Sequence, residues 1–184
     1  MVKFLLQISA ELKNLTYLQP QDGCDDPDYS YLFKLRCEWC GELSLRETRV
    51  SLNETVPLPA RNKRTANVIR KRTAKVIHRR TANVIQKCKL CERVGMILMH
   101  PGLGKPLTQA ASDARQFAPM MIFYFRGFVP VDFVFVGGWR AESPNGINFE
   151  HIDLSAGKFV EYDVEYPVMI SNLLAACGWV FYAA

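Results

Sequence analysis

A period of two runs through this sequence from its first residues almost to its last, and it predicts a mainly β protein. Two further observations shape that expectation. Four cysteines stand in two Cys-x-x-Cys pairs, Cys37/Cys40 and Cys88/Cys91, the pattern of two zinc knuckles, and both fall in the first part of the chain. A Gly/Pro-rich stretch after His100 then divides the chain into two small β-rich halves, residues 1–104 and 105–184.

The elements follow in order. Phe4, Leu6, Ile8, Ala10 and Leu12 alternate with Lys3, Gln7, Ser9, Glu11 and Lys13, as in a strand with one buried face, and Leu5 is the one exception. Residues 19–28, rich in Asp, Pro and Gly, form a loop. Tyr29, Tyr31, Phe33 and Leu35 then alternate straight into Cys37, so this strand carries the first knuckle. Residues 96–99 are a short apolar run behind the second knuckle. In the second half, residues 117–125 and the alternation around Phe133 and Phe135 predict two more strands, with Gly137 and Gly138 ending the latter. Val160, Tyr162, Val164, Tyr166, Val168 and Ile170 share one parity, and Pro167 predicts a bend or an edge among them. The aromatic residues of these strands are expected to face a core rather than to stack nucleic-acid bases.

Two residues between cysteines let a tight turn aim both sulfurs at one point, and two such turns complete a tetrahedral cage of four thiolates with zinc–sulfur bonds of about 2.3 Å. Gly41 follows the first pair, where the turn needs a positive φ. Arg36, Lys87, Lys89 and Arg93 stand beside the ligands and offset the negative charge of four thiolates on one zinc. A redox pair of the thioredoxin kind would need a strand-to-helix setting, and residues after Cys40 show no helical period. Disulfides are the third reading, and the start of the chain gives no secretory leader to support it. Four cysteines would close the shell, which argues for a structural rather than a catalytic zinc. Cys24 and Cys177 stand outside the motif and read as free or buried thiols.

Residues 63–86 contain three nearly identical octads, Lys-Arg-Thr-Ala-Asn-Val-Ile-Arg, Lys-Arg-Thr-Ala-Lys-Val-Ile-His and Arg-Arg-Thr-Ala-Asn-Val-Ile-Gln, ending at the second knuckle. Residues 61–93 hold 12 Lys or Arg and one acid, a net of +11, so the rest of the chain carries −6 of the total +5. Such a run can attach to phosphates without sequence preference, but a solvated repeat insertion over 63–78 is the simpler expectation. Val and Ile in each octad suit strands while Lys, Arg and Ala tolerate a helix, which leaves its conformation open.

Leu35-Arg36-Cys37-Glu38-Trp39-Cys40-Gly41-Glu42, the string 81–91 with its Gln86-Lys87-Cys88-Lys89-Leu90-Cys91, and Arg126-Gly127-Phe128-Val129-Pro130-Val131-Asp132-Phe133 together resemble the eukaryotic CXXC motif containing zinc-binding protein family. The likeness runs from the first strand to about Leu173, and the wording from Pro167 to Leu173 is most similar to plant members. It implies two β-rich halves of similar build, zinc on Cys37, Cys40, Cys88 and Cys91, and no established enzyme activity. The sequence departs from the family in three places. Removing two octads would shorten the gap between the cysteine pairs from 47 to 31 residues, close to the family's spacing. Phe125 stands where many members have Cys, and Val129 where Glu is common. The tail after Leu173 does not resemble the family's last strand, and it is expected to be an exposed apolar extension.

His78, His100 and His151 are scattered, and Asp132, Asp153 and Asp163 have no adjacent nucleophile, so no catalytic constellation is visible. The apolar stretch 118–139 is broken by Arg126, Pro130 and Asp132, which excludes a plain membrane span. The expectation is a non-catalytic, cytosolic zinc-binding scaffold for other proteins. The alternative is a thiol-active protein that hands on metal or exchanges disulfides through a CxxC pair. Nucleic-acid binding through residues 61–93 is a weaker third reading.

Overall fold

The computed structural model describes residues 1–57, 81–164 and 166–179, which form an almost entirely antiparallel β structure. The strands are β1 (Val2–Lys13), β2 (Thr16–Pro20), β3 (Tyr31–Cys37), β4 (Thr48–Val50), β5 (Val56–Pro57), β6 (Thr81–Ala82), β7 (Val84–Lys87), β8 (Val94–His100), β9 (Ala118–Arg126), β10 (Phe128–Val134), β11 (Trp139–Glu142), β12 (Asn148–Ile152), β13 (Phe159–Tyr162) and β14 (Pro167–Trp179). Among the described residues there is one short helix, α1 (Gln109–Asp113), capped by the Thr108 side chain. The expectation of a mainly β protein holds.

Six strands form the central sheet in the order β13-β14-β1-β9-β8-β7, while β10-β3-β4 and β12-β11-β2 form two smaller sheets and β5-β6 a two-stranded pair. The boundary at 104/105 lies between β8 and α1, and strands from both sides of it share the central sheet. β1 shows why: it pairs with β9 on one edge and β14 on the other. Its alternation is as the sequence predicts, with Phe4, Leu6, Ile8, Ala10 and Leu12 buried. A bulge between Ser9 and Glu11 interrupts the ladder to β14. Ser112 of α1 answers the bulge, its hydroxyl donating to the Ala10 carbonyl at 2.8 Å and accepting the Leu12 N–H at 2.9 Å.

The sheets are joined by aromatic side chains. Phe33 of β3 meets Phe123 and Phe125 of β9 edge to face at 4.9 and 5.8 Å, and Phe125 meets Phe4 of β1 at 5.4 Å. Tyr29 continues the chain of rings to Tyr31 and to Trp139 of β11. These rings are core, as expected, and their edge-to-face geometry adds to the burial energy.

Several expectations are corrected. Gln19 and Pro20, read as loop, end β2, because the Thr16–Pro20 segment completes the sheet of β11. The alternation from Val160 to Ile170 is a hairpin of β13 and β14 rather than one strand, with Pro167 opening β14. Val168 and Ile170 are buried, whereas Val160 and Tyr162 are exposed, since the register sets them opposite Met169 and Pro167 on the other face of the sheet; Val164 and Tyr166, between the two strands, are exposed as well. As far as Trp179, the residues after Leu173 are not a loose extension: β14 runs on against β1 with Leu6 opposite Cys177 and Phe4 opposite Trp179. The repeat residues 63–80 lie outside the described residues.

Candidate metal centre

The site forms where the central sheet and the β10-β3-β4 sheet converge. β9 ends at Arg126, and Gly127, at φ 80°, turns the chain from one sheet into the other so that Phe128 pairs with Cys37. Only glycine fits this corner: a Cβ there would lie 2.3 Å from the ring of Trp39. Opposite, β7 and β8 form a hairpin whose closing pair is Lys87 and Val94, and Cys88 begins the turn between them. The first knuckle thus hangs from β3 and the second from the edge of the central sheet.

The two knuckles are built alike. The Cys37 N–H donates to the Glu42 carbonyl at 2.8 Å and the Gly41 N–H to the Cys37 carbonyl at 3.0 Å; the Cys88 N–H donates to the Arg93 carbonyl at 2.9 Å and the Glu92 N–H to the Cys88 carbonyl at 3.0 Å. The fourth residue after each first cysteine has a positive φ, 76° at Gly41 and 60° at Glu92. The need for this conformation was legible at Gly41. At Glu92 only the matching spacing from Cys88 would have shown it.

These turns bring the Sγ atoms of Cys37, Cys40, Cys88 and Cys91 within 4.8 Å of one another. Cys37 and Cys91 are 3.7 Å apart and Cys40 and Cys88 3.6 Å, contacts that cross from one knuckle to the other. A tetrahedron with zinc–sulfur bonds of 2.3 Å has edges of about 3.8 Å, so the sulfurs are already spaced for such an ion. They are far beyond a disulfide's bond length of about 2.05 Å, and all six cysteines are free. The donor set fits zinc: four soft ligands, a closed shell, and a backbone that holds them in place. Cys24 lies buried in the core and Cys177 on β14, away from the cluster.

Backbone groups polarise the quartet. The Cys91 N–H is foremost in lowering the Cys88 thiol to about 7, and the Leu90 N–H and the sulfurs of Cys40 and Cys91 help against desolvation. At Cys40 a backbone hydrogen bond at Glu42 acts to lower the pKa, but desolvation and the sulfurs of Cys37, Cys88 and Cys91 outweigh it and push the thiol up to about 12. Cys37 and Cys88 are buried, Cys91 is half-buried and Cys40 is exposed, so one ligand of the set faces solvent.

Residues that sequence reasoning missed hold the first knuckle. Glu38 donates its N–H to the Gly127 carbonyl at 3.1 Å and takes the Gly127 N–H on its carboxylate at 2.7 Å. Trp39 lies over Gly127 and under the guanidinium of Arg93, 5.5 Å from its ring, which ties the first knuckle to the second. Lys87 pairs with Glu92 at 3.3 Å across the exposed base of the second knuckle. Of the four cations expected to balance the thiolates, two thus have other partners as well. The approach to Cys88 is fixed by Asn83, whose amide donates to the Ser51 and Glu54 carbonyls at 3.0 Å each and accepts the Met99 N–H at 2.7 Å. No helix among the described residues is long and apolar enough to cross a membrane.

Comparison with known proteins agrees with the cluster. The family model for the eukaryotic CXXC motif containing zinc binding protein matches residues 5–76 and 72–176, two segments that meet within the octads. UPF0587 protein CG4646 of Drosophila melanogaster is 35% identical over 164 residues, 89% of this chain and 87% of that one. The human CXXC motif containing zinc binding protein is 31% identical over 89% of this chain and 88% of its own length. The crystal structure of C1orf123 superposes with a TM-score of 0.77 at 28% identity, covering 97% of this chain and 99% of that one. A hypothetical protein from Plasmodium falciparum, 18% identical, shares the fold with a TM-score of 0.73 over 97% of this chain and all of its own. With its two knuckles, its four converging sulfurs and a match along most of its length, the chain belongs to the eukaryotic CXXC motif containing zinc binding protein family.

Proposed function

We propose that Cys37, Cys40, Cys88 and Cys91 hold one structural zinc ion and that the protein is a non-catalytic cytosolic scaffold for other proteins. The observation that carries this reading is the spacing of the four sulfurs, 3.6 and 3.7 Å across the knuckles and all within 4.8 Å. The ion would bridge two elements, the end of β3 and the β7–β8 turn, and binding energy would act as folding energy. The scaffold role draws support from the third residue of each knuckle, Trp39 and Leu90, both large, apolar and exposed beside the cluster. Aromatic residues next to arginine are favoured as anchors in protein interfaces.

A second reading, metal transfer or thiol exchange, is favoured by one observation: Cys40 is exposed, so an incoming ligand can reach it without opening the fold. Gel filtration of the zinc-loaded protein against a competing chelator separates the two. Zinc that stays with the chain supports the structural reading, and zinc lost without unfolding supports transfer.

A further inference from the structure

The exposed apolar side chains at the β13–β14 hairpin lie far in sequence from the four knuckle cysteines and do not depend on whether these bind zinc. Val160, Tyr162, Val164 and Tyr166 are 54, 74, 91 and 54% exposed. A monomer gains nothing from four large apolar side chains in water at one hairpin. Singly scattered surface apolar residues are ordinary, but Val160 and Tyr162 share one face of β13 and Val164 and Tyr166 follow at its turn, and apolar side chains gathered at one hairpin point to an interaction site.

The backbone says what kind. β13 is the last strand of the six-stranded sheet, and among the described residues it pairs only with β14. Asp163 donates its N–H to the Tyr166 carbonyl at 2.9 Å, which fixes the phase of the antiparallel ladder. Hydrogen-bonded and non-hydrogen-bonded pairs alternate, so Glu161 faces Val168 and Phe159 faces Ile170 as bonded pairs, while Val160 opposite Met169 and Tyr162 opposite Pro167 are non-bonded. Proline at 167 agrees, having no N–H to give. The N–H and C=O of Val160 and Tyr162 therefore point away from β14, toward the open edge. Edges of this kind are usually guarded by proline or lysine, and Phe159–Tyr162 contains neither.

The two faces of the edge differ. Phe159 and Glu161 share the core face with Val168 and Ile170, whereas Val160 and Tyr162 share the outer face with Met169. Glu161 is exposed and has no ion pair among the described residues. Pairing with a second copy about Glu161 would set two carboxylates opposite each other, which is destabilising. A strand with Lys or Arg at that position and apolar side chains at the positions beside Val160 and Tyr162 is the complement of both faces.

We propose that the open edge of β13 is a docking site for an extended segment of a partner protein, with basic and apolar side chains in alternation, that adds a seventh strand to the central sheet. The probe is a capped nonapeptide of alternating Val and Lys, read by amide hydrogen exchange of the full chain. In the free protein the Val160 and Tyr162 amides should exchange fast while Phe159 and Glu161 are protected. The peptide should slow Val160 and Tyr162 at least tenfold. The same peptide with N-methylated valines should give no protection, and Val160→Pro, which removes only an outward N–H, should abolish the effect with thermal unfolding unchanged. Glu161→Lys should weaken binding at least fivefold, and this variant keeps the test sound if Val160→Pro disturbs the hairpin. Absence of protection at millimolar peptide, or equal protection by the N-methylated peptide, would overturn the proposal. So would concentration-dependent protection of Val160 and Tyr162 without peptide, since a second copy would then be the occupant.

Discussion

Gly41 and Glu92 occupy the same place in two equivalent turns, four residues after Cys37 and Cys88, and both adopt a left-handed backbone. Their costs differ. A left-handed conformation costs a side-chain-bearing residue about 1–2 kcal/mol, and glycine nothing comparable. The Lys87–Glu92 pair is exposed and offers little in return. Gly41→Ala is therefore expected to destabilise by about 1 kcal/mol, whereas Glu92→Gly should be neutral or stabilise by up to about 1 kcal/mol, its gain reduced by glycine's freedom in the unfolded chain. Thermal unfolding of both variants checks this, and equal losses would contradict the equivalence of the knuckles.

Gly127→Ala should be more damaging. It places a methyl group within 2.3 Å of the Trp39 ring and forces a side chain into φ 80°, so Trp39 must leave the Arg93 guanidinium. A loss of about 2–3 kcal/mol is expected from strain and overpacking. Exposed Trp39 should shift its fluorescence to the red, while buried Trp139 should not respond. Unchanged emission would mean that the corner does not position the first knuckle.

Much of the site was legible before the fold. The cysteine spacing located four ligands because a two-residue gap is a local constraint, and β1 and β3 were legible because one of their faces is buried along its length. The rest depends on distant partners. β2 and β11 are short and gain their place by pairing with distant strands, β2 with β11 through Glu142 against Thr16 and Trp139 against Pro20, and β11 also with β12. Trp139, fully buried, gave no signal because its neighbours are Tyr29 and Phe135 on other elements. Ser112 of α1 closes the bulge of β1, a hundred residues away, a contact with no local signal. The hairpin at 160–166 misled for another reason: alternation assigns one face only within one strand, and the turn before Pro167 puts Val160 and Tyr162 on the face opposite Val168 and Ile170.

Asn83 carries a prediction about the octads. It stands at the fifth position of the third octad, where the second octad has Lys75. Lysine cannot accept the Met99 N–H, so the two octads are not interchangeable in this place. Asn83→Ala and Asn83→Lys are each expected to cost about 2–3 kcal/mol, by leaving buried backbone groups unpaired. Deleting residues 63–78, in contrast, shortens the connection between knuckles from 47 to 31 residues, worth only about 0.4 kcal/mol of loop closure. The deleted protein should unfold at a similar or higher temperature and keep its metal. Urea unfolding of the three proteins separates these outcomes, and loss of folding in the deletion would make the octads part of the core.

Burial pushes the thiols of Cys24 and Cys177 up, to about 11 and about 12, from an ordinary value of 9.0, and Asp25 adds to the effect at Cys24. A thiol whose pKa is raised by folding keeps its proton in the folded chain while the unfolded chain loses it, so its contribution is intact below pH 9 and is lost toward pH 11–12. Stability should fall as pH rises through that window. At pH 8 both thiols should alkylate far more slowly than Cys88 in metal-free protein, as mass spectrometry of the labelled peptides can show. Rapid labelling of Cys177 would contradict the pairing of β14 to its end.

The central claim is that the four knuckle cysteines, acting together, bind one zinc ion. Elemental analysis of the purified protein beside its Cys37→Ser, Cys88→Ser double variant tests it most directly. One zinc per chain in the protein and less than a tenth of that in the variant is the expected result. Stoichiometric zinc in the double variant would contradict it.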